Sequence, residues 1–185
     1  MIPVTSLVIA GIAVLWTVVA FNRLVRDRNL VREGWSGIDV QLKRRSNLVP
    51  SLVETVRGYA RHEQSTLERV TRLRSRSEEA ETLAQRGEAE NALSDQVRHL
   101  FALVEDYPDL RADRGFRELQ KQLTAIEDQI QLARRYYNGA VRNYNIRVES
   151  FPSNLIAGLA RFRAEEFFEI ESAVDRTAPT VEIEP

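Results

Sequence analysis

The chain has 185 residues, 29% of them charged and 43% hydrophobic, and its 26 basic and 27 acidic side chains leave a net charge of -1. That is the size and balance of one ordinary domain with a substantial core, and the interleaving of the two signs suits solvated helix faces rather than a nucleic-acid surface. There is no cysteine, which excludes disulfides, thiolate metal sites, lipoprotein acylation and cysteine nucleophiles.

From Met1 to Asn22 no side chain is charged, and the run VTSLVIAGIAVLWTVVAF is about the length that crosses a ~30 Å hydrocarbon layer as a helix. A secretory signal would carry a positive segment ahead of its apolar core. None is present, so Val18-Val19-Ala20 is read as part of an uncleaved span rather than as a cleavage site. Arg23, Arg26, Arg28 and Arg32 follow at once, and the positive-inside rule puts the rest of the chain in the cytoplasm with the N-terminus outside. The expected divisions are a transmembrane anchor over 1–22, a helical bundle over 23–170 and a flexible tail over 171–185.

The span runs without a turn signal into a stripe of alternating four- and three-residue steps: Val31, Trp35, Ile38, Leu42, Arg45, Val49, Leu52, Val56 and Tyr59. This is the apolar seam of a long amphipathic helix, broken only by Arg45. Arg45 needs an acidic partner, for which Glu127 and Glu105 are candidates. Gly34 and Gly37 are read as glycines that a long helix tolerates. Pro50 removes a helical hydrogen bond and is expected to kink the helix near Asn47. The pattern continues through Glu63, Leu67, Val70 and Arg74, then decays into a polar stretch where Gly87 is the expected breaker.

A second helix is read from Leu93, Val97, Leu100, Val104 and Tyr107, and stops at Tyr107-Pro108. After the loop YPDLRADRG, Asp113 is the expected N-cap of a third helix. Its seam, Phe116, Leu119, Leu123, Ile126, Ile130, Ala133, Tyr137, Ala140 and Tyr144, is the natural partner of the first stripe. Phe151-Pro152 ends it, and LIAGLARFRAEEFFEI is expected to form a short last helix. With no period-two alternation, the fold class is all-α: an N-terminal transmembrane helix followed by an elongated antiparallel up-and-down bundle of three long helices plus a shorter C-terminal one.

Little here points to chemistry. Gln120, Glu127, Arg134, Asn138 and Asn145 form a polar line beside the third seam. With Arg45, His62, Glu63 and Glu105 they are the candidate structural or docking network, read first as a hydrogen-bonded register lock. Neither histidine belongs to an inward Glu-x-x-His motif, so no metal and no cofactor is expected. There is no phosphate loop, nucleophile elbow or kinase ATP segment, and no catalytic residue is assigned.

The segments WSGIDVQLKRRSNLVPSLVETVRGYARHE, EDYPDL, FRELQKQLTAIEDQI and RRYYNGAVRNYNIRVESFPSNLIA closely resemble the LemA family of bacterial membrane proteins, from about Phe21 to about Phe168. The matching residues include Arg45, Pro50, His62, Glu63, Glu105, Tyr107, Pro108, Glu127, Arg134, Tyr137, Asn138, Asn145 and Pro152. The resemblance implies a membrane anchor with a cytoplasmic helical bundle and supplies no reaction. By analogy with relatives associated with organising bacterial membranes, it implies a scaffold or adaptor whose partners are the lipid bilayer and other proteins. Two other expectations stand beside it: a ligand sensor or enzyme using Arg45, Glu63, Glu127, Arg134 and Asn138, and a homo-oligomer joined through Trp35 and Ile38.

Overall fold

The computed structural model describes residues 4–168, and these are helical apart from turns and one extended C-terminal stretch, with no strand among them. Helix α1 spans Val4–Tyr59, so the apolar span and the first seam are one unbroken helix. It is followed by α2 (Gln64–Glu78), α3 (Leu83–Leu103), the short α4 (Pro108–Ala112), α5 (Arg114–Glu149) and α6 (Ser153–Leu159). The tail expected from residue 171 lies outside the described residues.

Cross-helix contacts fix the direction of each element. Asp27 meets Arg147, Arg45 meets Glu127 and Tyr59 meets Asp113, so each step along α1 is matched by a step back along α5. The two are antiparallel along most of their length. Ser46 bonds Glu78, Ser77 bonds Glu90, and Asp39 pairs with Arg86 while Arg45 pairs with Glu90. Hence α2 returns along α1, α3 runs parallel to α1, and the four make an up-down-up-down bundle.

The bundle has two apolar tiers. The distal core joins Val49, Leu52, Val56, Leu67, Val70, Leu93, Leu100, Phe116 and Leu123 from four helices. The other joins Leu24, Val31, Ile38 and Leu42 to Ile130, Tyr137, Val141 and Tyr144, and is closed mainly by Ile156, Ala157 and Phe168, with Leu83 at the start of α3 packed against it. Trp35 packs edge-on to Tyr137 and Phe168, at centroid distances of 5.8 and 5.4 Å. With Ile38 wholly buried and Trp35 packed inside, these two do not form the self-association face that the sequence suggested.

Several boundaries differ from expectation. Tyr59 is exposed, and the first helix ends there instead of continuing. The chain reverses at Ala60, which is fully buried and small enough for the two helices to close up, through a 3-10 turn at Arg61–Glu63. Gly87 is not a breaker: it is buried inside α3. The break falls at residues 79–82, where Thr82 and Gln85 form a capping box, each side chain accepting from the other's backbone N–H. The YPDLRADRG loop contains α4, with Pro108 in its first turn. Asp113 caps α5 as expected, its carboxylate accepting from Phe116 N–H at 2.7 Å. The last apolar segment is helical only over α6, and residues 162–168 are extended.

Gly34 has a packing reason, not mere tolerance. A Cβ there would lie 3.0 Å from the Tyr137 backbone and 3.2 Å from the Tyr136 ring, so the absence of a side chain lets α5 approach α1 closely at this level. Gly37 faces open space.

Pro50 sits on the exposed side of α1 and the helix continues through it. Proline cannot donate to the carbonyl one turn earlier, that of Ser46. That carbonyl accepts instead from Arg74 Nε of α2 at 3.0 Å. The missing backbone bond is thus replaced from a neighbouring helix, which ties α2 to α1 at this level. Arg74→Ala is therefore expected to cost about 1 to 2 kcal/mol by leaving the carbonyl unpaired. The cost should be less in a Pro50→Ala background, where the restored backbone N–H at that position can donate in its place. Urea unfolding of the four proteins in detergent checks this. A coupling of about 1 kcal/mol is expected, and simple additivity would refute the replacement.

Candidate functional site

Between the two tiers lies a polar layer. Arg45 is only 1% exposed because it occupies a seam position one turn from Leu42 and one from Val49. Its Nη1 donates to Glu127 and to Ser94 Oγ. Its Nη2 donates to the Glu90 carboxylate and, at 3.1 Å, to the Glu90 carbonyl. Glu90, buried on α3, also accepts from Ser77 of α2, and Ser94 donates to Glu127 at 3.0 Å. Three helices thus meet on one guanidinium, and α2 joins them through Glu90. A buried cation is tolerable only with such pairing, and two carboxylates answer it here.

Of the two partners named from the sequence, Glu127 is present, but Glu105 is exposed at the distal end and takes no part. Glu90 takes its place. Nothing in the periodic pattern marks it, because it stands in the polar N-terminal half of α3, where the apolar spacing of a core helix is missing.

Arg134 lies beside this layer, half-buried. Burial and the nearby positive charge of Arg45 pull its pKa down to about 10, opposed by Glu127 and Glu90, so it remains charged at neutral pH. Its guanidinium stacks on the Phe168 ring at 5.5 Å and donates to Gln131 at 3.3 Å, while its Nε is buried without a partner.

The asparagines of the polar line have a different task. Asn138 donates to the Phe168 carbonyl at 3.2 Å and accepts from the Phe168 N–H at 3.0 Å. Asn145 does the same with Glu165, at 2.9 Å both ways. Two side-chain amides therefore stand in for the backbone of a neighbouring strand and hold residues 165–168 along α5. Tyr137 adds a hydrogen bond to the Glu166 carbonyl at 2.8 Å. Its phenol pKa is pushed up to about 12, mainly by burial and then by the Glu165 and Glu166 carboxylates.

The remaining candidates are elsewhere. Glu63 accepts from Tyr107 at 3.2 Å in the distal turn, beyond the end of α1 and so about 20 Å along the axis from Arg45. His62 is exposed, and Gln120 is half-buried apart from the Arg45 layer. Of the five residues proposed for a sensor or enzyme, Arg45 and Glu127 pair directly and Arg134 lies beside them, Glu63 lies at the distal turn, and Asn138 holds the Phe168 backbone. A hollow of about 820 Å³ lies at the distal turn among Glu54, Arg57, Gln64 and Glu68. No group of three or more histidine, aspartate or glutamate side chains among the described residues is arranged to hold a metal.

Three pairings have no counterpart in the sequence pattern: Arg74 with Ser46 and Glu78, Asp27 with Arg147 at 2.5 Å, and Asp39 with Arg86 at 2.6 Å. The Ser46 hydroxyl donates to Glu78 and, with Arg74 and Lys43 nearby, holds that carboxyl below its usual range. A charged residue facing a seam flank is the only signal that could have flagged them, and it does not specify a partner.

A family model described as the LemA family matches residues 34–183. Among curated proteins, the chain is 26% identical over 157 residues to Protein LemA of Metamycoplasma hominis, covering 81% of this chain and 72% of that protein. It is 26% identical over 194 residues to magnetosome protein MamQ 2 of Paramagnetospirillum magneticum, covering 91% and 71%. To magnetosome protein MamQ of Magnetospirillum gryphiswaldense it is 25% identical over 208 residues, covering 98% and 75%.

Two outcomes follow from this geometry. Arg45→Ala should lower stability by about 3 to 5 kcal/mol, because it strands two inward carboxylates. Adding Glu90→Gln and Glu127→Gln should recover part of the loss, and chemical denaturation of the single and triple variants checks this. Recovery of nothing would mean that the charges are not what Arg45 serves. For Tyr137, the folded phenol holds its proton to about 12, whereas an unfolded tyrosine releases it near 10. Its contribution is complete below about pH 10 and falls away between about 10 and 12 as the unfolded state loses the proton first. Tyr137→Phe should flatten that alkaline limb and cost about 1 kcal/mol at neutral pH through the lost Glu166 bond. Urea midpoints at neutral and alkaline pH measure both.

Proposed function

The chain belongs to the LemA family, and we propose that it is a non-catalytic, membrane-anchored helical scaffold that docks other proteins at the inner face of the bacterial plasma membrane. The observation that carries this reading is the continuity of α1. Residues 4–19 are exposed and almost wholly apolar, the helix passes the length and hydropathy test of a membrane span, and the same helix then supplies the seam of both core tiers. A bundle joined to its anchor without a linker is carried upright rather than tethered.

Other features support it. The most buried charges are answered within the fold, leaving the bundle surface rather than its interior to meet partners. The names borne by the relatives, Protein LemA and magnetosome protein MamQ, carry no reaction. Arg23, Arg26 and Arg32, exposed just past the span, favour a cytoplasmic bundle.

The test has two arms. The full chain should stay with the membrane through alkaline carbonate washing, and a phosphatase that is active only outside the cytoplasm, fused after Glu184, should be silent. Phosphatase activity would reverse the orientation, and release by carbonate would remove the anchor. Cross-linking in intact cells should then give reproducible protein adducts that are lost when the exposed Leu132 and Tyr136 are changed to aspartate. Adducts indifferent to these and other exposed bundle positions would count against the scaffold.

A further inference from the structure

We propose that α6 and the preceding Phe151 form a second membrane contact, a docking face that lies in the headgroup region of an anionic bilayer beside the point where α1 leaves it. This rests on the reading of α1 as a membrane span.

The first observation is exposure. Beyond residue 19, the three most exposed large apolar side chains are Leu159 at 90%, Phe151 at 79% and Leu155 at 64%. Leu155 and Leu159 are one turn apart on α6, whose Ile156 and Ala157 face the core, and Phe151 lies in the turn just before it. Isolated exposed leucines are ordinary, but three neighbouring apolar side chains at such exposure are not.

The second is level. The first charged side chain of α1 is Arg23, so the hydrocarbon boundary falls close to residues 20–23. That is where α1 stops being bare. Ala20 and Leu24 are buried in the core cluster that contains Ile156 and Ala157, and Phe21 stacks edge-on with Phe162 at 5.8 Å. From Val4 to Val19 the bare helix is about 24 Å long at 1.5 Å per residue, within the ~30 Å of a hydrocarbon layer, so Ile156 and Ala157 pack on α1 close to the boundary itself. Ile146, 56% exposed in the last turn of α5, belongs to the same end of the molecule.

The third is charge. Arg23, Arg26 and Arg32 are exposed on α1, and Arg161 and Arg163 are exposed just after α6. Arg28 lies over the Phe162 ring at 5.8 Å. Of the acidic groups at this end, Asp27 is paired with Arg147, and Glu149 is exposed at the end of α5. Glu165 is held one step further from the boundary by Asn145. Apolar side chains ringed by arginines at a membrane boundary are the makings of an interfacial contact, in which leucine and phenylalanine enter the acyl margin and the guanidiniums bind lipid phosphates.

The absence of cysteine makes the test direct. Single variants Leu159→Cys, Leu155→Cys, Ile12→Cys and Glu68→Cys of the full chain are labelled with bimane. They are reconstituted in vesicles of phosphatidylcholine and phosphatidylglycerol containing a lipid with a shallow nitroxide. The probes at 159 and 155 should lose about half their emission to the nitroxide lipid and be protected from aqueous iodide, as expected for side chains within about 5 to 10 Å of the headgroup boundary. The Glu68 probe, at the distal end, should behave in the opposite way. If the Ile12 probe, near the middle of the span, is not quenched by a second lipid that carries its nitroxide deep in the acyl chain, the span itself is wrong and the proposal falls with it. If Ile12 is quenched but 159 and 155 are open to iodide, the span stands and the α6 contact is refuted. Protection from both quenchers would also refute it, because another part of the protein or a second copy then covers the face. As a check on the label, a probe at Phe151→Cys should lose its lipid quenching when Leu155→Asp and Leu159→Asp are added, and persistence of quenching would overturn the proposal.

Discussion

A single guanidinium, buried in the seam of α1, must be answered from the helices around it. Long helices with repetitive apolar seams can slide by a heptad at little cost, since one leucine layer resembles the next. Arg45 removes that freedom. Its pairing reaches Glu90 and Ser94 on α3 and Glu127 on α5, with Ser77 of α2 joined through Glu90. Any slipped arrangement would leave a cation in hydrocarbon-like surroundings and two carboxylates elsewhere. Apolar side chains of similar size could give equal or greater stability in that layer, so its worth lies in uniqueness of alignment rather than in strength.

The layer also marks a change of construction. On its distal side the core is enclosed by four helices. On its other side α2 is gone, α3 contributes only its first turn through Leu83 and Arg86, and the α1–α5 pair is closed mainly by α6 and the strap 162–168. An extended peptide has backbone groups that a helix cannot serve, since helical N–H and C=O groups are already engaged. Asn138 and Asn145 solve this with side-chain amides, seven residues apart and so on the same face of α5. The covering of this tier therefore depends on two polar residues as much as on Phe168.

The sequence was informative wherever a pattern had a fixed period or a local chemical signature. The seams of α1 and α5, the long apolar N-terminal helix and the Asp113 cap were all legible for that reason, and the Thr82–Gln85 capping box was there to be read as T-x-x-Q. What escaped were features without local signature. The reversal at Ala60 uses no glycine or proline at the turn, only a small residue packed to zero exposure. The helix through Pro50 survives because of Arg74, which lies 24 positions further along the chain. Asn138 and Asn145 were visible as a polar line, but their partners are backbone groups of a segment whose apolar residues suggested helix. Glu90 was hidden in a stretch too polar to look like a core helix.

The unbroken passage of α1 from span to bundle also fixes an angle. Successive residues of a helix turn by 100°, so each side of the span inherits its bearing from the bundle below. α6 and its arginines lie on one flank of the emerging helix and the groove between α1 and α5 on another. For the membrane anchor proposed above, this gives the molecule a front and a back in the plane of the bilayer. Inserting one residue ahead of Ala20, before the first core contact of α1, would swing the apolar end of the helix by more than a quarter turn and leave the packing of the bundle as it is.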